Sequence, residues 1–331
     1  MAETSSKISI VVPAYNEGAS LPELVERLEA ACRFPGKRVE LIVVDDGSTD
    51  TTAETLRRLA RDSKLSLKTL TFRRNFGKSA ALSAGFGAAD GDLIVTLDAD
   101  LQDVPEEIPR LIERLEAGLD LVSGWKRKRR DPWSKRIASR IFNWVTACLT
   151  GIPIHDFNSG FKAYRREVIE EIKVYGEMHR YIPVLASYRG FRVGEIEVEH
   201  HRRKHGKSKY GPSRFLSGFF DLLTVIMLTR YNSKPLHAFG IMGAGLFAAG
   251  IAVEIYLTVG WFAGRWWIGD RPVFFLGILF LIIGIQFVFF GLLAEMIAYS
   301  SRRQEEYSLK IVSQKSQEPR VMALPGARDR K

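Results

Sequence analysis

Short apolar, β-branched runs recur along the first third of the chain: ISIVVP, ELIVVDD, LKTLTF, DLIVTLD and DLVSGW. Between most of them the apolar positions shift to helical spacing. SLPELVERLEAAC is one such segment, with Ser20 at a cap position and Glu23 three residues on. Strands alternating with helices predict an α/β domain with a mainly parallel sheet covered on both faces. Ligands of such sheets bind beyond the carboxyl ends of the strands. The polar residues at those ends are Pro13–Glu17, Asp45–Asp50 and Asp98–Asp103.

Beyond about residue 210 the pattern changes. Leu236–Phe262 carries one acidic residue, Glu254, and Val273–Tyr299 carries only Gln286 and Glu295 as strongly polar positions. At ~1.5 Å per residue, each helix would cross a hydrocarbon core of ~30 Å. The segment 213–234 is apolar with basic ends and predicts a helix lying in the membrane interface, a third short span being the alternative. The expected division is therefore a catalytic domain over 1–212, an interfacial helix over 213–234, two spans within 235–301 (about 236–262 and 273–299), and a disordered tail over 302–331. Small residues at Gly240, Ala244 and Ala248, and at Gly277, Gly284 and Gly291, suit close helix packing. Packing within one chain and packing in a homo-oligomer share this signature. Glu254 is expected inside a helix interface or near the far surface, because facing lipid would cost ~2.5–3.5 kcal/mol near the bilayer centre.

Net charge changes the picture only through its position. The surplus of +10 could suggest nucleic acid, yet the cations crowd around the spans: Arg202 to Lys234 before the first, Arg302 and Arg303 after the second. The positive-inside rule then puts both termini and the catalytic domain in the cytoplasm, on the inner face of the plasma membrane. Anionic lipid or phosphate is the expected partner, and no nucleic acid. The N-terminus has no signal-peptide pattern, and Cys32 and Cys148 lack metal-ligand spacing.

Several nucleotide and metal motifs fail on inspection. FGKS lacks the first glycine of a phosphate loop, GFGAAD ends in Asp, and DADLQD has Asp103 where a calcium loop needs glycine. Asp98-x-Asp100 survives. Two residues apart on extended backbone, these carboxylates share a face, and Gln102 joins them if the strand continues. Hard oxygens of this kind suit Mg²⁺ or Mn²⁺. An acidic turn ahead of the helix near Pro105 would carry the same residues. In VVDDGSTDTT, Asp50 or Thr51 suits a helix cap, leaving Asp45 to accept from a ribose or base.

Taken together, VVPAYNE, VVDDGSTD, RNFGKSAAL, LDADLQDVPE, DFNSGFKAYRRE and RKHGKSKYG resemble the family 2 glycosyltransferases of GT-A fold, over residues 7 to about 212. With two C-terminal spans the chain looks most like the polyprenyl-phosphate glycosyltransferases. The Gln-x-x-Arg-Trp motif of processive polysaccharide synthases is absent from the sequence. The resemblance implies that Asp98, Asp100 and Gln102 hold a divalent metal on the donor's diphosphate. It implies nucleotide contacts from Pro13, Tyr15, Glu17, Asp45 and Lys78, with Arg203 and Lys209 in a loop closing on the diphosphate. Asp156 matches the position of a base, here expected to position acceptor or sugar at least as much as to take a proton; an Asx-turn is the bland alternative. Lys126, Lys135 and Ser139, with Arg136 adjacent, match residues that hold the lipid phosphate, although the family favours arginine at two of these sites. The expected reaction is metal-dependent inverting hexosyl transfer from a nucleotide sugar to undecaprenyl phosphate or a similar lipid. UDP-glucose is the first expectation, GDP-mannose the rival, and a membrane-tethered binding module without turnover the alternative class.

Overall fold

The alternation in the first strand explains the layering. In β1 (Lys7–Ala14), Ile8, Ile10 and Val12 turn to one side of the sheet, and Val11 to the other. The first side is covered by α1 (Leu21–Ala31) and α4 (Ile108–Glu116). Each of these helices buries residues at helical spacing: Leu21, Leu24, Val25 and Leu28 in α1; Ile108, Leu111, Ile112 and Leu115 in α4. The second side is covered by α3 (Lys78–Ala88), α6 (Arg166–Glu171) and α7 (Ile182–Tyr188). In this computed structural model the described residues are 7–127, 133–172, 178–201, 204, 224–227, 235–269 and 271–301.

Among the described residues the sheet has seven strands. Besides β1 they are β2 (Arg38–Asp45), β3 (Ser66–Thr71), β4 (Leu93–Thr96), β5 (Leu121–Trp125), β6 (Lys162–Arg165) and β7 (Val193–Glu197), in spatial order β3-β2-β1-β4-β6-β5-β7. Helices α2 (Thr52–Asp62) and α5 (Trp133–Thr150) complete the α/β part. The five apolar runs in the sequence are β1 to β5. The additional β6 runs antiparallel between β4 and β5, and β7 pairs parallel with β5 at an edge. The sheet is thus mixed and mainly parallel.

Local capping departs from the sequence expectation. Ser20 does precede α1, but its hydroxyl donates to the Glu17 carbonyl at 3.0 Å and the Glu17 carboxylate at 2.9 Å. Glu23 pairs instead with Lys204. Asp50 accepts the Thr52 amide at 2.9 Å, so it satisfies a free donor at the start of α2.

The chain divides into two compact units, Met1–Val225 and Ile226–Lys331. The second contains α8 (Pro235–Phe262) and α9 (Pro272–Ser301), packed against each other. Both are long and apolar enough to cross a membrane. Only 11% of each most apolar window is buried, unlike the core helix of a soluble fold. Gly243 and Gly250 face α9, while Gly277, Gly284 and Gly291 face α8. A Cβ at Gly250 would lie 2.9 Å from the Gly277 carbonyl, and one at Gly243 2.6 Å from that of Gly284. The second small-residue set therefore packs within one chain. For the first set the packing glycines are Gly243 and Gly250 rather than Gly240, Ala244 and Ala248, since the close seam follows a seven-residue spacing. Glu254 sits against Gly277, its Oε1 buried with no hydrogen-bond partner among the described residues. Glu295 accepts the Leu236 amide at 3.2 Å and so caps the first turn of α8. The proposed interfacial helix and the C-terminal tail lie outside the described residues, apart from a helical fragment at 224–227.

Candidate active site

At the carboxyl ends of β1 and β2 two loops are stitched together. Asn16, in a left-handed conformation at φ 52°, donates its amide to Ser48 Oγ at 2.8 Å and accepts the Thr49 amide at 2.8 Å. The Glu17 amide donates to Thr52 Oγ1 at 2.9 Å. These bonds set Pro13, Tyr15 and Glu17 on the rim, each half-buried. Asp45 Oδ1 accepts the Ser48 amide at 2.9 Å; Oδ2 is buried without a hydrogen-bond partner among the described residues. An acceptor left in this state carries a desolvation cost that a ligand donor would remove.

Asp46 does a task the sequence did not reveal. Its carboxylate accepts the amides of Phe76 at 2.7 Å and Gly77 at 2.9 Å, shaping the turn that starts α3. Burial pushes its pKa up, against the pull of those amides. The turn delivers Lys78, whose ammonium pairs with Asp98. Lys78 thus lands beside the acidic residues twenty positions later.

The acidic segment itself is bent. β4 ends at Thr96 and Leu101 is left-handed at φ 60°, so the extended backbone that would have aligned Gln102 with Asp98 and Asp100 does not continue. Asp98 faces Lys78 and is about one-third exposed (32%), whereas Asp100 is buried and accepts the Gln102 amide at 3.2 Å. Asp103 is fully buried. It accepts the Asp98 amide at 3.2 Å and pairs with Lys126 at 2.5 Å. Burial alone would raise the Asp98 pKa, but Lys78, Lys126 and Lys162 outweigh it and hold the carboxyl at about 2. Repulsion among the acids is therefore already met by lysines.

Lys162 is the third of these. It is buried at 2% exposure, and its ammonium donates to the carbonyls of Ser159 and Phe157. Burial, then repulsion from Lys78, push its pKa down to about 7 against the attraction of Asp156 and Asp98. The loop it braces holds Asp156, itself buried, and ends at Gly160. Thr96 donates to the Gly160 carbonyl at 2.8 Å, and a Cβ on Gly160 would lie 2.6 Å from Asp98 Oδ2. Glycine is required there by close approach to the carboxylate. The oxygens of Asp98, Asp100 and Gln102 are hard donors that suit a divalent ion, and the missing Cβ keeps the flank of Asp98 open. Among the described residues no three His, Cys, Asp or Glu side chains form a metal cage by themselves.

Asp156 also lines a cavity of about 730 Å³, together with Trp125, Lys126, Arg127, Ser139 and Arg140 among others. Two of the residues expected at an acceptor phosphate, Lys126 and Ser139, meet there. Lys126 is tied to Asp103, and its pKa is raised: burial lowers it, but Asp103, Asp98 and Asp156 together outweigh that. Arg127 and Arg140 supply cations the sequence reading had not picked out. Lys135 and Arg136 fall on α5, but their side chains lie outside the described residues, as do Arg203 and Lys209. The chain leading to Arg203 is strapped to the acidic turn: His200 bridges Asp103, and the His201 amide donates to the Gln102 carbonyl at 2.9 Å.

Comparison with known proteins places this geometry in a family. The Glycosyl transferase family 2 profile matches residues 9–173. The chain is 41% identical over 314 residues to the dodecaprenyl-phosphate galacturonate synthase of Rhizobium johnstonii, covering 94% of this chain and 93% of that one. It is 40% identical over 291 residues to the undecaprenyl-phosphate 4-deoxy-4-formamido-L-arabinose transferase of Pseudomonas paraeruginosa, covering 88% and 84%. Among solved structures, glucosyl-3-phosphoglycerate synthase from Mycobacterium tuberculosis, in complex with Mn²⁺, UDP and phosphoglyceric acid, superposes with a TM-score of 0.52. That match has 21% identity and covers 68% of this chain and 78% of that one, a likeness of fold. The chain belongs to glycosyl transferase family 2, built on a GT-A type fold with two apolar C-terminal helices.

Proposed function

We propose that the chain transfers a sugar, with inversion, from a nucleotide diphosphate to the phosphate of a polyprenyl lipid at the cytoplasmic face of the inner membrane. The observation that carries this reading is the setting of Asp156. It shares the charges of Lys126 and Lys162 with the ionised Asp98, and it lines a cavity of about 730 Å³ together with Arg127 and Arg140. The acid–lysine cluster suits a metal-bound diphosphate, and the cavity with its arginines and tryptophans suits a phosphate with an apolar tail. The relatives' names support the same reaction class, and the two apolar helices support a membrane-embedded acceptor.

In this reading Asp98, Asp100 and Gln102 hold Mg²⁺ or Mn²⁺, which when bound supplies positive charge to the leaving diphosphate. The donor's phosphates and water complete its ligands. Pro13, Tyr15 and Glu17 frame the nucleoside, and the unpartnered Asp45 Oδ2 accepts from its ribose or base. Lys78 faces the diphosphate, and Arg203 and Lys209 are its further cationic partners. Ser139, Arg127 and Arg140, with Lys126, Lys135 and Arg136, hold the acceptor phosphate. Asp156, buried at the cavity wall, orients acceptor and sugar. The relatives are named for galacturonate and formamidoarabinose, sugars bearing groups that glucose lacks. A modified sugar on UDP therefore stands ahead of UDP-glucose and GDP-mannose.

The test is a panel of nucleotide sugars with Mg²⁺ or Mn²⁺, vesicles containing a polyprenyl phosphate, and the full-length protein. Glycolipid formation from at least one donor is expected. Donor binding without any product would leave a binding module in place of an enzyme.

A further inference from the structure

The start of α3 is held from two directions. From the end of β2, Asp46 takes the amides of Phe76 and Gly77. From the other direction comes His179, one hundred positions beyond Ser79. Its Nδ1 lies 2.8 Å from Ser79 Oγ, and its backbone amide donates to the same oxygen at 3.4 Å. Ser79 follows Lys78 directly and is the second residue of the helix. Both partners are deeply buried, Ser79 at 2% exposure and His179 at 7%.

His179 belongs to the stretch Met178–Ile182, a tight turn that leads into α7 and is buried throughout. The turn packs against α3, and the Tyr181 ring meets that of Phe142 on α5 with centroids 5.9 Å apart. α5 carries Ser139 and Arg140 of the cavity. One buried segment therefore touches the helix that begins with Lys78 and the helix on the acceptor side. Apolar side chains would fill the same space at a lower desolvation cost. What the polar pair adds is direction: apolar packing tolerates several arrangements, a buried hydrogen bond far fewer. The bond holds in either tautomer, because a hydroxyl both donates and accepts. It fixes the first turn of α3, from which the Lys78 ammonium reaches Asp98.

We infer that His179 is a positioning residue for the donor: through Ser79 it sets the first turn of α3 so that Lys78 meets the diphosphate. This rests on the reading above in which Lys78 faces the diphosphate. A lysine rooted in a fixed turn has fewer arrangements to lose on binding than one rooted in a frayed turn. His179 acts through Lys78 alone, so its removal should matter only while that ammonium is present.

The experiment is calorimetry of UDP with Mn²⁺ on the full-length protein in detergent. The proteins are wild type, His179→Leu, His179→Asn, Ser79→Ala, Lys78→Met, and the double variant of His179→Leu with Lys78→Met. Lys78→Met should weaken UDP about tenfold or more, as the loss of a charge-assisted hydrogen bond does. His179→Leu and Ser79→Ala should each weaken it about three- to tenfold. His179→Asn, whose amide can take the place of Nδ1, should stay within about twofold of wild type. On the Lys78→Met background, His179→Leu should cost less than about twofold more. Ser79→Ala removes a single oxygen and carries the test should His179→Leu fold poorly. Unchanged UDP affinity in both single variants would overturn the assignment. So would a loss in His179→Asn as large as in His179→Leu, or an equal loss with and without Lys78, which would show that His179 merely holds the core. A wild type that binds no UDP, or a Lys78→Met variant that binds it as wild type does, would instead remove the underlying reading, and this inference with it.

Discussion

In the proposed reaction, Asp98 is the residue on which the chemistry turns. Its low pKa, set by Lys78, Lys126 and Lys162 against burial, keeps it charged through the physiological range. Asp100→Ala should abolish transfer and metal-dependent donor binding, by more than about 100-fold, without unfolding the protein; kinetics and calorimetry on the same preparation check this. Asp156→Asn should slow transfer while donor affinity stays near wild type, which separates acceptor-side from donor-side roles. Gly160→Ala should also be severe, because the added methyl would stand 2.6 Å from the Asp98 carboxylate. The acids at 98 and 100 were legible as a pair because two carboxylates beyond an apolar run stand out. Asp46 and Lys162 were not. Asp46 binds backbone amides thirty positions downstream, and the charges that set the state of Lys162 include Lys78, Asp98 and Lys126, all far from it in sequence.

At the scale of elements, strands one to five were legible from their apolar runs, and β6 and β7 were not. KAYR is four residues long with a cation at each end, and VGEIE buries one residue out of five. Both are held by their neighbours in the sheet rather than by intrinsic pattern. A second element-level feature lies at the other end of the sheet. Glu40, 1% exposed, meets Lys7 at 2.7 Å and Lys68 at 3.0 Å and accepts Ser9 Oγ at 2.5 Å. Burial opposes its ionisation, but these partners hold its pKa at about 2. Since the folded value lies below the unfolded one of ~4.3, this carboxylate stabilises the fold above about pH 4 and loses that contribution as pH falls toward 2. Glu40→Gln should therefore lower stability by on the order of 2 kcal/mol at neutral pH and by much less near pH 2, as read by denaturant titration in detergent.

For the whole molecule, the basic surplus and the two apolar helices point to one bilayer surface as the working place. Chelation of divalent ions should stop transfer, and either Mg²⁺ or Mn²⁺ should restore it; activity that survives chelation would remove the metal from the mechanism. The hairpin has its own requirement. Gly250→Leu would force a side chain into a contact already 2.9 Å from the Gly277 carbonyl, and a loss of about 1–3 kcal/mol should appear as earlier thermal unfolding. The position of both long apolar helices was legible, because such runs are hard to mistake. Which glycines form the seam was not, because several small residues share each helix.

The placement of β6 sets a limit on how this chain can vary. It enters between β4 and β5 from the opposite direction, with Thr96 paired to Lys162. The segment from Asp156 to Phe161 is thus a ruler, measured from one fixed rung. Dropping a single residue from it would turn the buried lysine outward and draw the glycine off its aspartate. Natural variants of this enzyme should therefore tolerate changes of residue type in that stretch far better than any change in its length.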